Sequence, residues 1–335
     1  MSELVGMAFL DRPGVDRQIK LVQQLEELGY HSAWMCETRL ARDAFSILGA
    51  FAHVTNRIKL GTSIVNTWTR GPALMSVTFA TLNEIAPGRM VMGLGAYWDP
   101  LAWKQGIERT KPLIQMREYV EVCRRLLALE DSVTFEGQVV KVRDLRLDLG
   151  KGVERNPLPV PIYVGATGPK MMQLSGEIAD GVILNGLTSS AHTRSSVENI
   201  EVGANRAGRK LDDIDRPQFI NVSLGDDEQA AFEDAHRLVT MYLGQQPHIG
   251  QASGLDEDHI KRINEELGGW PARPGGVEAA MKLVDRRVVE ALTVSGTPDR
   301  CRARLHEWID AGGSYPVIVP LSDNYEKMCE VFAPR

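Results

Sequence analysis

Ile58-Lys59-Leu60-Gly61-Thr62-Ser63-Ile64-Val65, then Pro72–Ile85, then Arg89-Met90-Val91-Met92-Gly93-Leu94-Gly95 decide the fold. The first and last runs are apolar and short, which reads as two strands. The segment between them has helical spacing, with a proline at its first turn. Two strands joined through a helix must run parallel. The same rhythm continues in both directions. Leu4–Leu10 reads as a strand closed by Asp11-Arg12-Pro13-Gly14. Val15–Leu28 reads as a helix on Ile19, Val22, Leu25 and Leu28, capped by Gly29. Ser32–Cys36 is the next strand. Asp43–Val54 is a helix with Asp43 as N-cap. Beyond the opening unit, Ile114–Leu129 is helical. The strands Ile162–Val164, Gly181–Leu184 and Gln218–Leu224 then alternate with the helices Lys170–Ile178, Ser196–Ala207 and Asp227–Leu243. Pro298–Ala311 is a helix, Val317–Pro320 the last strand and Tyr325–Phe332 the last helix. Eight βα units predict closure into a (β/α)8 TIM barrel, one domain over residues 1–335. Two excursions interrupt it, near 131–158 and 245–277. In the first, Val133–Leu149 reads as a hairpin and Lys151–Pro161 as a Gly/Pro-rich linker. An open doubly wound sheet would carry Gly-x-Gly-x-x-Gly after the first strand, and Asp11-Arg12-Pro13-Gly14 does not.

The 335 residues are 43% hydrophobic and 24% charged, enough for a large core. A net charge of −6, from 38 basic and 44 acidic residues, disfavours nucleic acid as a partner. Cys36, Cys123, Cys301 and Cys329 have no paired short spacing, which points to a reducing, cytoplasmic setting and away from a zinc site. No signal peptide or membrane span is expected. The seven histidines lack metal-ligand spacing, so no metal is expected, and neither a Gly-x-Ser-x-Gly elbow nor a Walker loop is present.

In such a barrel, chemistry gathers where strands end. Gly165-Ala166-Thr167-Gly168-Pro169 leaves a strand and opens a helix, so its N–H groups suit a phosphate or simply make a tight turn. Gly93–Tyr97 puts small residues, among them Gly95 and Ala96, where a flat ring can approach the backbone or where strands merely pack closely. Glu37, at a strand end, is a candidate for proton transfer with a raised pKa; its plainer reading is an ion pair with Arg39, Arg42 or Arg70. Trp68, Trp98 and Trp103 are candidates to stack on a flat substrate or to pack within loops.

Taken together, Leu60–Asn66, Arg70-Gly71-Pro72, Ala80–Arg89, Met92–Gly95, Lys111–Glu118, Val133–Gly137, Pro161–Lys170, Ala179-Asp180-Gly181, Ser295–Pro298 and Ala311-Gly312-Gly313 resemble the luciferase-like family. The match is closest to its methylenetetrahydromethanopterin reductase-like branch, which uses coenzyme F420, a deazaflavin. The resemblance implies a cis peptide at Ser63–Ile64 under the deazaflavin ring, flanked by Val65. It also implies phosphate contacts on Gly165, Ala166, Thr167 and Gly168, and a homodimer. The implied activity is hydride transfer between F420 and a small electrophilic substrate of imine, enone or nitroaromatic type. Glu37, Asn66 and Trp98 are then the catalytic candidates. A reduced-FMN monooxygenase and a non-catalytic flavin-binding barrel are the alternatives. Two positions depart from the family. Thr38 follows Glu37 where the monooxygenases carry His, which favours hydride transfer over oxygen activation. Tyr97-Trp98 stands where relatives often have Gly and an acidic residue.

Overall fold

The computed structural model describes residues 4–150, 155–252 and 254–334. Residues 151–154 of the expected linker and residue 253 of the second expected excursion lie outside the described residues. The strands are β1 (Gly6–Phe9), β2 (Ser32–Met35), β3 (Lys59–Thr62), β4 (Val65–Asn66), β5 (Met90–Gly95), β6 (Val133–Glu136), β7 (Lys141–Leu145), β8 (Ile162–Ala166), β9 (Gly181–Leu184), β10 (Pro217–Leu224), β11 (Val294–Gly296) and β12 (Tyr315–Pro320). Parallel pairing runs β10-β12-β1-β2-β3-β5-β8-β9, and β9 pairs with β10, so the order closes on itself. With a helix after each strand, this is a (β/α)8 barrel of eight parallel strands.

The chain divides into two compact units. The first to be described comprises residues 8–183 and 199–215 and holds β2 to β8. Its helix Val15–Glu27 buries Gln18, Leu21, Val22 and Leu25, a stripe turned by about one residue from the expected one. Gln18 tolerates burial because its amide donates to Pro13 O at 3.0 Å. Gly29 follows the helix at φ +82°, the left-handed stop expected of it. Asp43 caps the helix Ala44–Val54, its carboxylate accepting from Ser46 N at 2.7 Å. The expected hairpin forms from β6 and β7, which pair antiparallel apart from the barrel strands. It is tied down by the buried Glu118, which accepts from Gln138, Val139 and Val140 N–H at 2.7, 2.9 and 2.8 Å. Burial pushes this carboxyl up, but the three N–H donors outweigh it and hold its pKa below the usual value.

The remaining unit, residues 1–7, 184–198 and 216–335, contains β10, β11 and β12. Gly6 and Met7 pair with Val317 and Ile318, and Leu184 with Gln218. Phe232, Val239, Leu243, Ile249, Ile263 and Leu267 form a core of their own between Glu228–Gln245, Pro247–Ala252 and Glu257–Leu267. Strand β11 and the short helices Gly276–Met281 and Arg286–Leu292 were not anticipated; each is too short for periodicity to reveal.

The strand expected over Ile58–Val65 is broken. Before the break Gly61 pairs with Val91; after it Val65 pairs with Leu94. Four residues (62–65) therefore oppose three (92–94), a one-residue bulge. The Thr62 hydroxyl splices the gap: it accepts from Gly93 N at 2.9 Å and donates to Gly93 O at 2.7 Å. Gly93 must lack a side chain, because a Cβ there would lie 1.8 Å from Thr62 O. Thr62→Val keeps the shape but strands a buried N–H and a buried C=O, and is expected to cost about 2–4 kcal/mol. Gly93→Ala forces the two strands apart and is expected to cost about 2 kcal/mol or more. Urea unfolding of both variants checks this; midpoints equal to wild type would contradict the splice.

Candidate functional site

The bulge turns Ser63 and Ile64 out of the ladder, and the bond between them is cis, as the resemblance implied. Ser63 N still donates to Met35 O at 2.9 Å, and Glu37 N donates to Ile64 O at 3.4 Å. The end of β2 is thereby hooked to the bulge. The Ile64 side chain lies flat across the glycines of the next two strands. A Cβ on Gly95 would stand 2.3 Å from Ile64 Cδ1, and one on Gly165 2.7 Å from Ile64 Cγ2. Ile64 is half-buried, so its upper surface is open. Glu37, Ser63, Ile64, Asn66, Gly95 and Gly165 thus lie at adjoining strand ends.

Other candidates take more specific places. Val65 is buried and paired with Leu94, so only its backbone faces the site. Asn66 is buried and its Oδ1 accepts from Trp68 N, Thr69 N and Thr69 Oγ1 at 2.9, 2.8 and 3.1 Å. Its carbonyl oxygen is committed to that turn, which leaves its amide N–H groups as the part able to meet a ligand. In the turn after β8, Ala166 points into the protein while Gly165, Thr167 and Gly168 remain accessible. Gly168 is the N-cap of the helix Pro169–Ile178, which has no side-chain cap. The first-turn N–H groups are the unfilled donors of that end. Trp98 is half-buried and opens the helix Asp99–Lys104, its carbonyl accepting from Ala102 N at 3.0 Å. Trp103 on that helix is 79% exposed, so its ring faces outward and not into the core.

Glu37 is half-buried, and its pKa lies above the usual carboxyl value. Burial is the main cause; the Asp43 carboxylate adds to it, while Arg70 and the Ala44 N–H oppose it. Arg70 makes its ion pair with Asp43 at 3.2 Å, so the expected alternative of a Glu37–Arg70 pair is not what forms. Arg42 donates to Asp11 O and to Pro13 O. Burial pushes the neighbouring Cys36 thiol up to about 12, which removes it as a nucleophile.

Sequence reasoning missed the residues that hold β5's exit. Tyr97 has φ +70°, a conformation that costs an aromatic residue roughly 1–2 kcal/mol. Its carbonyl accepts from Arg109 Nη1 at 2.6 Å, and its hydroxyl accepts from Gln105 Nε2. Gln115 donates to Thr67 O at 3.0 Å and secures the turn after the bulge. No strand or helix periodicity announces these contacts, because the partners lie eight, twelve and forty-eight residues from the groups they hold.

Among the described residues no helix is long and apolar enough to cross a membrane. The family described as luciferase-like monooxygenase matches residues 5–315. A 5,10-methylenetetrahydromethanopterin reductase from Archaeoglobus fulgidus is 33% identical over 303 residues, covering 87% of this chain and 85% of its own. An F420-dependent glucose-6-phosphate dehydrogenase from Microbacterium testaceum is 32% identical over 303 residues, covering 86% and 82%. The solved coenzyme F420 dependent tetrahydromethanopterin reductase from Methanopyrus kandleri superimposes with a TM-score of 0.85 at 28% identity, covering 98% of this chain and 96% of its own. Fold, bulge and sequence likeness agree: the chain belongs to the luciferase-like monooxygenase family.

Proposed function

We propose that this protein is a coenzyme F420-dependent oxidoreductase that transfers a hydride between the deazaflavin and a small electrophilic organic substrate of imine, enone or nitroaromatic type. The observation that carries the reading is Ile64 laid across Gly95 and Gly165, a flat apolar platform at adjoining strand ends. It is supported by the two relatives whose names specify F420. The residues present fit such a cofactor. The platform suits a planar ring. The small turn Gly165–Gly168 and the uncapped helix behind it suit a phosphate. Ser63 Oγ is buried beside the platform without a hydrogen-bond partner among the described residues, a group that a bound ring edge would satisfy.

When bound, the reduced deazaflavin supplies the hydride. Ile64 backs the ring, and Gly95 and Gly165 let it do so. Asn66 offers amide N–H groups to the substrate. Glu37, as the carboxylate, accepts a hydrogen bond that positions the substrate. Trp98 walls the substrate space. We further propose a cytoplasmic homodimer. The four cysteines are free thiols. On the helix Pro72–Ile85, Leu74, Val77 and Ile85 are 52%, 38% and 45% exposed along one face. Between them the hydroxyls of Thr78 and Thr81 donate back to Leu74 O and Val77 O at 2.8 and 3.0 Å, so these polar groups are already satisfied within the helix. An apolar helix face of this kind suits a second copy.

Titration with F420 and, separately, with FMN tests the cofactor. Tight F420 binding with weak FMN binding is expected; the reverse preference together with oxygen uptake would move the protein to the monooxygenase reading. Turnover is expected to rise with pH through a midpoint above Glu37's ordinary value of 4.5, since burial favours the protonated form and the carboxylate is the working form. Glu37→Gln should remove that limb and lower kcat/KM roughly 10²-fold or more; an unchanged profile would end the role given to Glu37. Light scattering should find a dimer for wild type and a monomer for Leu74→Glu/Val77→Glu. A wild-type monomer would refute the assembly.

A further inference from the structure

We propose that Tyr97 is a catalytic residue, the phenol that hands a proton to the substrate as the hydride arrives, and that the substrate is therefore a carbonyl-type acceptor whose reduced form is an alkoxide or enolate. This rests on the hydride-transfer reading above. The argument starts from the backbone. Tyr97 stands two residues after Gly95, the residue on which Ile64 lies, so β5 delivers it beside the platform. It is held in the left-handed region, φ +70°, where an aromatic residue persists only if its surroundings insist on it. Here they do: Arg109 Nη1 holds its carbonyl at 2.6 Å and is itself paired with Asp99 Oδ1 at 2.7 Å. An outlier stabilised at a strand end points to a function for the side chain it aims.

The side chain is set up as a donor. Gln105 Nε2 donates to the Tyr97 hydroxyl oxygen. That bond occupies an acceptor lone pair and leaves the O–H proton available. The charged group facing the phenol is Glu37 at the end of β2, with Asp43 and Arg70 acting on Glu37 in turn, while Arg109, paired with Asp99, lies at the Tyr97 carbonyl. Burial raises the phenol's pKa; the Gln105 bond lowers it; the Glu37 charge raises it again, and the sum lies above the ordinary value of 10.0. The phenol is protonated throughout the physiological range. A weak acid of that strength matches a strongly basic product oxygen or carbon, not a carboxylate.

The step balances as follows. Coenzyme F420, when bound in its reduced form, would supply the hydride to the electrophilic carbon, and the substrate's carbonyl π bond, or its conjugated C=C bond, would break. The Tyr97 O–H bond breaks and its proton forms the new O–H or C–H bond on the substrate. The phenolate left behind recovers a proton from solvent.

The test uses the full-length protein with 2-cyclohexen-1-one as probe acceptor and reduced F420 as donor. Tyr97→Phe should lower kcat about 10²–10³-fold while KM and the F420 dissociation constant stay within about two-fold. The basic limb of the kcat profile should vanish. A second readout needs neither cofactor nor substrate. In protein labelled with ¹³C at tyrosine Cζ, the Tyr97 resonance is the one missing from Tyr97→Phe. Its midpoint should lie above 10, move up in Gln105→Leu and move down in Glu37→Gln. Wild-type kcat in Tyr97→Phe, or a Tyr97 midpoint indifferent to both neighbours, overturns the proposal. Failure of F420 to bind at all would instead overturn the cofactor reading, which the binding titration detects separately.

Discussion

The hydroxyl of Thr62 replaces a backbone pair between two parallel strands, and the site is built on that replacement. A parallel ladder gives each strand one residue per step, so an extra residue on one side must leave the plane. Thr62 satisfies both polar groups of Gly93 across the gap. The chain is then free to push Ser63 and Ile64 toward the open ends of the strands without orphaning the buried backbone beneath. A hydroxyl can do this because it donates and accepts at once; an apolar side chain of the same shape cannot. The glycines follow from it. Gly93 has no side chain because the Thr62 carbonyl presses on it, and Gly95 and Gly165 have none because Ile64 lies over them.

Charge is arranged around this platform with similar economy. Arg70 is occupied by Asp43, so Glu37 keeps a raised pKa in a half-buried setting. Asp43 serves three ends: it caps the helix Ala44–Val54, pairs with Arg70, and adds to the field at Glu37. Away from the site the carboxylates do structural work. Glu26 accepts from Asn56, Arg57 and Ile58 N–H and closes the entry to β3. Glu118 does the same for the hairpin. Burial pushes both carboxyls up, and their N–H donors pull them below the ordinary value, so each stabilises the fold above its unfolded pKa and ceases to do so as the pH falls through its folded one. The same residue type thus serves opposite ends: three N–H donors make a strut, and a neighbouring carboxylate with few donors makes a titrating group.

Membership of a family named for monooxygenases does not decide the reaction, since one barrel carries several chemistries through its strand ends. The distinctions lie in a few residues: Thr38 after Glu37, Tyr97 and Trp98 after Ala96, and the contacts that hold them.

The sequence by itself determined the alternation of strand and helix, the helix start at Asp43 and the helix stop at Gly29, the hairpin within Val133–Leu149, and the place of the glycine-rich turns. These depend on neighbours within a few residues, and periodicity, capping and turn chemistry report such neighbours directly. The likeness to a known family added the cis bond at Ser63–Ile64. Only the tertiary structure decided that the strand over Ile58–Val65 breaks, that Arg70 takes Asp43 and leaves Glu37, and that Arg109 and Gln105 seize Tyr97. Each of those outcomes is a competition among partners brought together from different elements. A donor distant in sequence, such as Arg109 for the Tyr97 carbonyl, is settled by where the strands put it, and no local pattern encodes that distance.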